Sequence, residues 1–368
     1  MSELHLSRRS LLSGVAAAAA TGGLGALART FASGRGASSS NHVLVLLELR
    51  GGNDGLNTLA PINDPAYRRA RPTLALGDDA IALADGLALH PALAPLEPLW
   101  RRGRLGFALG VGWSRPNRSH FKAADQWAVG DQSGEGAGWL AKAYGARTQS
   151  GPLVALNASG CTALEGGSPL ALQLGPVQLQ RRSLVVPNQT VLASPVLRQM
   201  IALESAGARE LERLRGAMPP SPLGLDLPKG SLGRQVELAL RLIGSDQCPP
   251  VLALAQAGYD THNNQGRRHQ RLLNQLAQAL AGLDAGLQAM TKRPSMTLLA
   301  VSEFGRRLQE NGSGGTDHGS ASVAFLMGDR IPDRLLGTYP SLQKLDDRGD
   351  IQPTQSPEEL YRHVLAMV

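Results

Sequence analysis

The stretch Val43-Leu44-Val45-Leu46-Leu47, followed after Glu48-Leu49 by Arg50-Gly51-Gly52-Asn53-Asp54-Gly55-Leu56-Asn57, decides the fold. Five apolar residues in a row, without the polar alternation of a half-exposed strand, indicate burial on both faces and hence a parallel or mixed sheet. The glycine-rich polar turn comes just beyond the strand's carboxyl end. That is where open α/β sheets gather ligand-binding residues from distant parts of the chain.

Other strands are expected at Leu105–Val111, Leu153–Leu156, Val251–Leu254, Met296–Val301 and Val323–Met327. Between the strands at 251 and 296, Leu272, Leu273, Leu276, Leu280, Leu283, Leu287 and Met290 recur at three- and four-residue steps, which predicts an amphipathic helix and a βαβ-like unit. Helical segments at about 194–215 and 231–243, separated by Met218-Pro219-Pro220-Ser221-Pro222, suggest a helical insertion over about 194–245. The segment from Pro357 to Val364 reads as a last helix on the sheet's outer face. Residues 43–368 are therefore expected to form a single α/β domain, a mixed, mostly parallel sheet sandwiched by helices.

Acids and histidines cluster beyond these strands. Asp54 sits in an Asn-Asp-Gly sequence that also suits a plain turn. Asp260 and His262, two apart in Gly258-Tyr259-Asp260-Thr261-His262, share a face if the segment is extended; an N-cap with a surface histidine is the alternative. Glu303 closes the run ending at Ser302, either facing a pocket or pairing with Arg306. Asp317 and His318 lie in the glycine-rich loop before Val323. Mixed Asp/Glu/His ligands suit a divalent metal such as Zn, Mn, Mg or Ca. In Arg115-Pro116-Asn117-Arg118-Ser119-His120-Phe121, Arg118 can fork onto phosphate or sulfate oxygens, Ser119 can attack, and His120 can coordinate or shuttle protons. The same stretch is also a plausible helix start.

Composition is that of a globular protein, with 42% hydrophobic residues, 4% aromatics, 43 glycines and 23 prolines that imply many tight turns. The formal charge of +7 is spread along the chain, with no basic block beyond Arg267-Arg268 or Arg306-Arg307 and no aromatic stacking platform, so nucleic acid is not an expected partner. Ser7-Arg8-Arg9-Ser10-Leu11-Leu12, an Ala/Gly-rich stretch through Leu27 and the small-residue pattern Ala26-Leu27-Ala28 resemble a twin-arginine export signal over 1–28, followed by a flexible lead over 29–42. The stretch is short and weakly apolar for a stable membrane span. The expected location is periplasmic or secreted, with the twin-arginine translocase as a partner during export. Cys161 and Cys248 suit either a pair or two buried thiols.

With these motifs in place, the chain resembles the bacterial family DUF1501. The landmarks are the export signal, Leu49–Asn57, Arg118-Ser119-His120-Phe121, Gly258–His262, Ser302-Glu303-Phe304-Gly305-Arg306 and Thr316-Asp317-His318-Gly319. That family looks like a distant branch of the alkaline phosphatase and sulfatase superfamily. The resemblance implies a mixed sheet between helices and one or two divalent ions. It matches Asp54 to the acid after the first strand, Asp260 with His262 to an Asp–His pair for one metal, Glu303 to an acid for the other, and His318 to the late histidine. Ser119 stands as nucleophile by analogy. Phe304 replaces the His or Asn that commonly follows the superfamily's acid, which implies a weakened second site. The expectation is an exported metal-dependent hydrolase of phosphate or sulfate esters, with a small-molecule or polymer ester as substrate. The rival is a non-catalytic envelope protein that keeps the fold for binding or assembly.

Overall fold

The computed structural model describes residues 41–147, 151–167, 170–174, 195–219, 224–329 and 331–368. The export segment 1–28 and nearly all of the lead 29–42 lie outside the described residues; His42 already belongs to the first strand.

In chain order the described strands are β1 (His42–Arg50), β2 (Leu59–Pro61), β3 (Ile81–Ala82), β4 (Leu87–Leu89), β5 (Leu105–Val111), β6 (Leu153–Ala155), β7 (Ala171–Gln173), β8 (Val251–Ala257), β9 (Ser295–Val301), β10 (Arg306–Glu310), β11 (Thr316–His318), β12 (Ser322–Gly328) and β13 (Leu335–Leu336). Eight of them form one sheet in the order β13-β5-β12-β9-β1-β8-β6-β7. Every pairing in it is parallel except those of β12, which runs against both β5 and β9. The expected mixed, mostly parallel sheet flanked by helices is what the chain builds.

The unbroken apolar run in β1 works as its pattern suggests. Val43, Val45, Leu47 and Leu49 enter one core, and Leu44 and Leu46 enter the core on the opposite face. Burying each such side chain stabilises the fold by roughly 1.5–3 kcal/mol, so a central strand with no wet face anchors both helix layers. The first layer holds the helices Ser231–Ile243 and Gln265–Ala289; the second holds His120–Val129, Trp139–Gly145 and Pro357–Leu365. Stacking of Trp139 on Tyr361, with ring centroids 4.1 Å apart, fastens the last of these.

The helix Ser231–Ile243 belongs to the sheet's own layer, and Leu214 of the longer Pro195–Ala217 helix is buried in the same core. Its buried Gln235 spans the gap left where β6 stops short. The amide donates to Ala255 O at 2.9 Å and accepts from Ala255 N at 2.8 Å, giving β8 the ladder bonds that a longer neighbour would supply. The helix Gln265–Ala289 starts seven residues ahead of its leucine repeat, because its first turns are polar and carry no apolar period. Cys161 and Cys248 are buried free thiols. No helix among the described residues is long and apolar enough to cross a membrane.

This topology brings five chain segments to one edge. The carboxyl ends of β1, β5, β8 and β9 lie there, and the antiparallel β12 enters from the same side.

Candidate metal centre

Two glycines let the β1 turn press into this edge. Gly51 adopts φ 118° and Gly52 φ 76°; a Cβ on the first would lie 2.4 Å from Asp260 N, and on the second 2.3 Å from the Phe304 ring. Gly51 N then donates to Glu303 Oε1 at 2.8 Å.

Asp260, just past β8, is the hub. Its Oδ1 lies 3.0 Å from His262 Nε2, 3.2 Å from His318 Nε2 and 2.8 Å from Arg306 Nη2, and its Oδ2 lies 3.4 Å from His120 Nε2. Each of the three imidazoles has its other nitrogen beside an acceptor. His120 Nδ1 faces Glu303 Oε1 at 2.8 Å, His318 Nδ1 faces the Arg118 carbonyl at 2.8 Å, and His262 Nδ1 faces Asp317 Oδ1 at 3.3 Å. An acceptor at Nδ1 selects the Nδ1–H tautomer and leaves a lone pair on Nε2, the arrangement that outer partners impose on metal-ligating histidines.

The lone pairs have no protein donors to satisfy them. His120 Nε2 is buried and has no hydrogen-bond partner, since its 3.4 Å approach to Asp260 is poorly aligned. His262 Nε2 and His318 Nε2 are 2.9 Å apart, a repulsive contact between two lone pairs unless a cation or proton sits between them. Ligands about 2.0–2.1 Å from a tetrahedral ion are roughly 3.4 Å from one another, close to the separations seen here. His120, Asp260 and His318 form a possible metal site, with donor atoms all within 4.8 Å of one another. These residues fit a divalent cation.

Charge supports the geometry. Partial burial alone would raise the Asp260 carboxyl, but the hydrogen-bonded Arg306 guanidinium holds it down at about 2, so it is an anionic donor at neutral pH. Burial likewise opposes ionisation of Glu303, and the His120 bond overcomes it; the same bond raises His120. Phe304 lies beneath the cluster, its ring centroid 4.4 Å from His318 and 4.9 Å from His120.

The structure sorts the residues picked out from sequence. Asp260, His262 and His318 meet, and His120 joins them as a donor. Glu303 and Asp317 stand behind histidines rather than among the donor atoms of the site. Asp54 is a correction: its side chain is fully buried and its oxygens are taken by Asn57 N, by Gln265 and by Arg71 at 2.6 Å, so nothing is left for a cation. The Arg118 guanidinium pairs with buried Asp350, while its carbonyl serves His318. Ser119 is exposed at the N-cap of His120–Val129 and caps with no side-chain hydrogen bond.

Three residues take roles that the sequence did not assign them. Arg306 does not pair with Glu303. Its buried guanidinium donates to Gly51 O, Gly52 O, Tyr259 O, Thr316 O and Asp260, tying three loops together beneath the site. Asp350 is fully buried between Arg118 and Arg307. Gln265 joins Asp54 to Thr261 and Thr316. Only the arginine after Glu303 gave a sequence signal, and it suggested the wrong partner.

Residues 198–344 match the family described as "Protein of unknown function (DUF1501)". No curated protein matches. Among solved structures, the chain is similar to the C-terminal periplasmic domain of EcEptC from Escherichia coli in complex with Zn, at 10% identity and TM-score 0.38, covering 89% of this chain and 82% of that one. It is also similar to phosphonoacetate hydrolase from Sinorhizobium meliloti 1021 in complex with phosphonoformate, at 14% identity and TM-score 0.32, covering 72% of this chain and 57% of that one.

Proposed function

We propose that this chain, whose residues 198–344 belong to the DUF1501 family, is an exported metal-dependent hydrolase of phosphate or sulfate esters. One observation carries the reading: three histidines with their Nδ1 atoms held by acceptors turn their Nε2 atoms toward one ionised aspartate. His120, Asp260 and His318 would hold the ion, with His262 beside them on the more exposed side. A divalent ion there supplies Lewis acidity toward an ester oxygen and eases ionisation of a nearby hydroxyl.

The protein's own groups do the rest. Arg306 holds Asp260 in place, and Glu303 and the Arg118 carbonyl fix two of the imidazole rings. Ser119 lies between a residue whose carbonyl holds His318 and a residue that is itself a donor, and its exposed hydroxyl is the proposed nucleophile. Arg118 gives Nη2 to Asp350, and its side chain stays about one-third exposed, which leaves part of the guanidinium to face an ester oxygen. The twin-arginine pattern at Arg8-Arg9 supports export through the twin-arginine translocase to the periplasm or beyond.

A second reading is favoured by His262. If it fills the fourth position beside His120, Asp260 and His318, the ion is closed off, as in structural zinc sites, and the protein is a non-catalytic envelope module. Turnover of aryl phosphate and sulfate esters by metal-loaded protein decides between them. The hydrolase reading predicts turnover that Asp260→Ala abolishes; bound metal without turnover of any ester supports the closed site.

A further inference from the structure

Phe121 is 85% exposed, whereas the other described phenylalanines, Phe107, Phe304 and Phe325, are 1% exposed or less. Its place makes this informative. It follows His120 in the first turn of the helix His120–Val129, and the His120 ring is fixed by Glu303 at 2.8 Å and by contact with Phe304 and His318. Adjacent Cα atoms are about 3.8 Å apart, so the Phe121 backbone is held in a helix beside that of a candidate ligand rather than on a loose loop. That helix buries Ala123, Gln126, Trp127, Ala128 and Val129 against the sheet and leaves Phe121 and Ala124 exposed. Arg115 and Lys122, near Phe121 in sequence, are exposed, whereas Arg118 is paired with Asp350 and Asp125 follows one turn on. An exposed apolar ring one residue from His120, flanked by the exposed cations Arg115 and Lys122, complements a ligand that joins an anionic head to an apolar body.

We infer that Phe121 is a specificity-determining residue, the contact for the aryl or alkyl group of an anionic ester whose charged end reaches the Asp260 cluster. This rests on the hydrolase reading and narrows its substrates to amphiphilic phosphate or sulfate esters.

The test uses full-length, zinc-loaded protein titrated calorimetrically with phenylphosphonate and, separately, with inorganic phosphate. Phe121→Ala is expected to weaken phenylphosphonate about tenfold, as for loss of part of an aromatic contact, and to leave phosphate affinity and zinc content unchanged, with Phe121→Leu intermediate. Equal weakening of both ligands, or no change in either, overturns the inference while leaving the hydrolase reading intact. A change in sedimentation with both affinities unaltered overturns it in favour of a protein contact. Failure of the unaltered protein to hold zinc, or to bind either ligand once loaded, defeats the hydrolase reading and the inference with it.

Discussion

Asp54 and Asp260 lie beyond the carboxyl ends of the neighbouring strands β1 and β8, and both meet an arginine, yet they occupy opposite electrostatic settings. Asp54 is closed in by Arg71, Gln265 and Asn57, with Arg71 extended to Asn57 Oδ1 at 2.7 Å and to the Leu308 and Arg307 carbonyls. Asp260 is about half exposed and faces imidazole nitrogens that carry lone pairs. A carboxylate whose acceptors are already filled by protein donors is structural; one surrounded by other acceptors invites a cation. Position at a strand end does not separate these cases, but the sign of the neighbouring groups does.

The largest effect expected from this contrast is on stability. Arg71→Ala leaves Asp54 ionised and unpaired in the interior, and should lower the unfolding free energy by about 3–5 kcal/mol in urea titration. Asp260→Ala should cost little by comparison, because Arg306 keeps its four carbonyl acceptors. If the two losses are equal, the division between a structural and a functional aspartate fails.

Next comes the outer shell. Glu303→Gln removes the charge that orients His120 and should weaken metal binding by about 10–100-fold in competition with a chelating dye. Asp317→Asn, which alters an exposed residue beside the half-buried His262, should have a smaller effect. The reverse order would make His262 the principal donor and His120 secondary.

The smallest expected effect, read over pH 7 to 5, is a pH dependence beneath the site. Burial pushes His269, which donates to Asn53 at 2.9 Å, down to about 3 from an ordinary value near 6.5. Between those values the unfolded chain takes up a proton that the folded chain refuses. The contribution is therefore complete above about pH 6.5 and lost as pH falls toward 3, by about 1.4 kcal/mol per pH unit. Urea midpoints measured from pH 7 to 5 should fall more steeply for the unaltered protein than for His269→Gln, and equal slopes would contradict this assignment.

Much of the scaffold was legible because it rests on local pattern. The continuous apolar run of β1 marks burial on two faces, the strand at Leu105–Val111 begins and ends where its composition changes, and the helix Ser231–Ile243 follows its own periodicity. The site was legible only in outline. Asp260, His262 and His318 announced themselves by residue type beyond strands, but the neutralisation of Asp54 depends on Arg71 and on Gln265, which is 211 residues away. Glu303 looked like a ligand because sequence gives its place at the end of β9 and not the direction of its carboxylate. Gly51 N and His120 Nδ1 set that direction, and they arrive from other strands.

Metal content measured by mass spectrometry tests the central claim most directly, on the unaltered protein, on Asp260→Ala and on Asp54→Asn, each saturated with zinc and then desalted. The account predicts tightly held zinc in the unaltered protein, none in Asp260→Ala, and retention in whatever fraction of Asp54→Asn remains folded. Zinc absent from all three, or kept by Asp260→Ala and lost from folded Asp54→Asn, would contradict it.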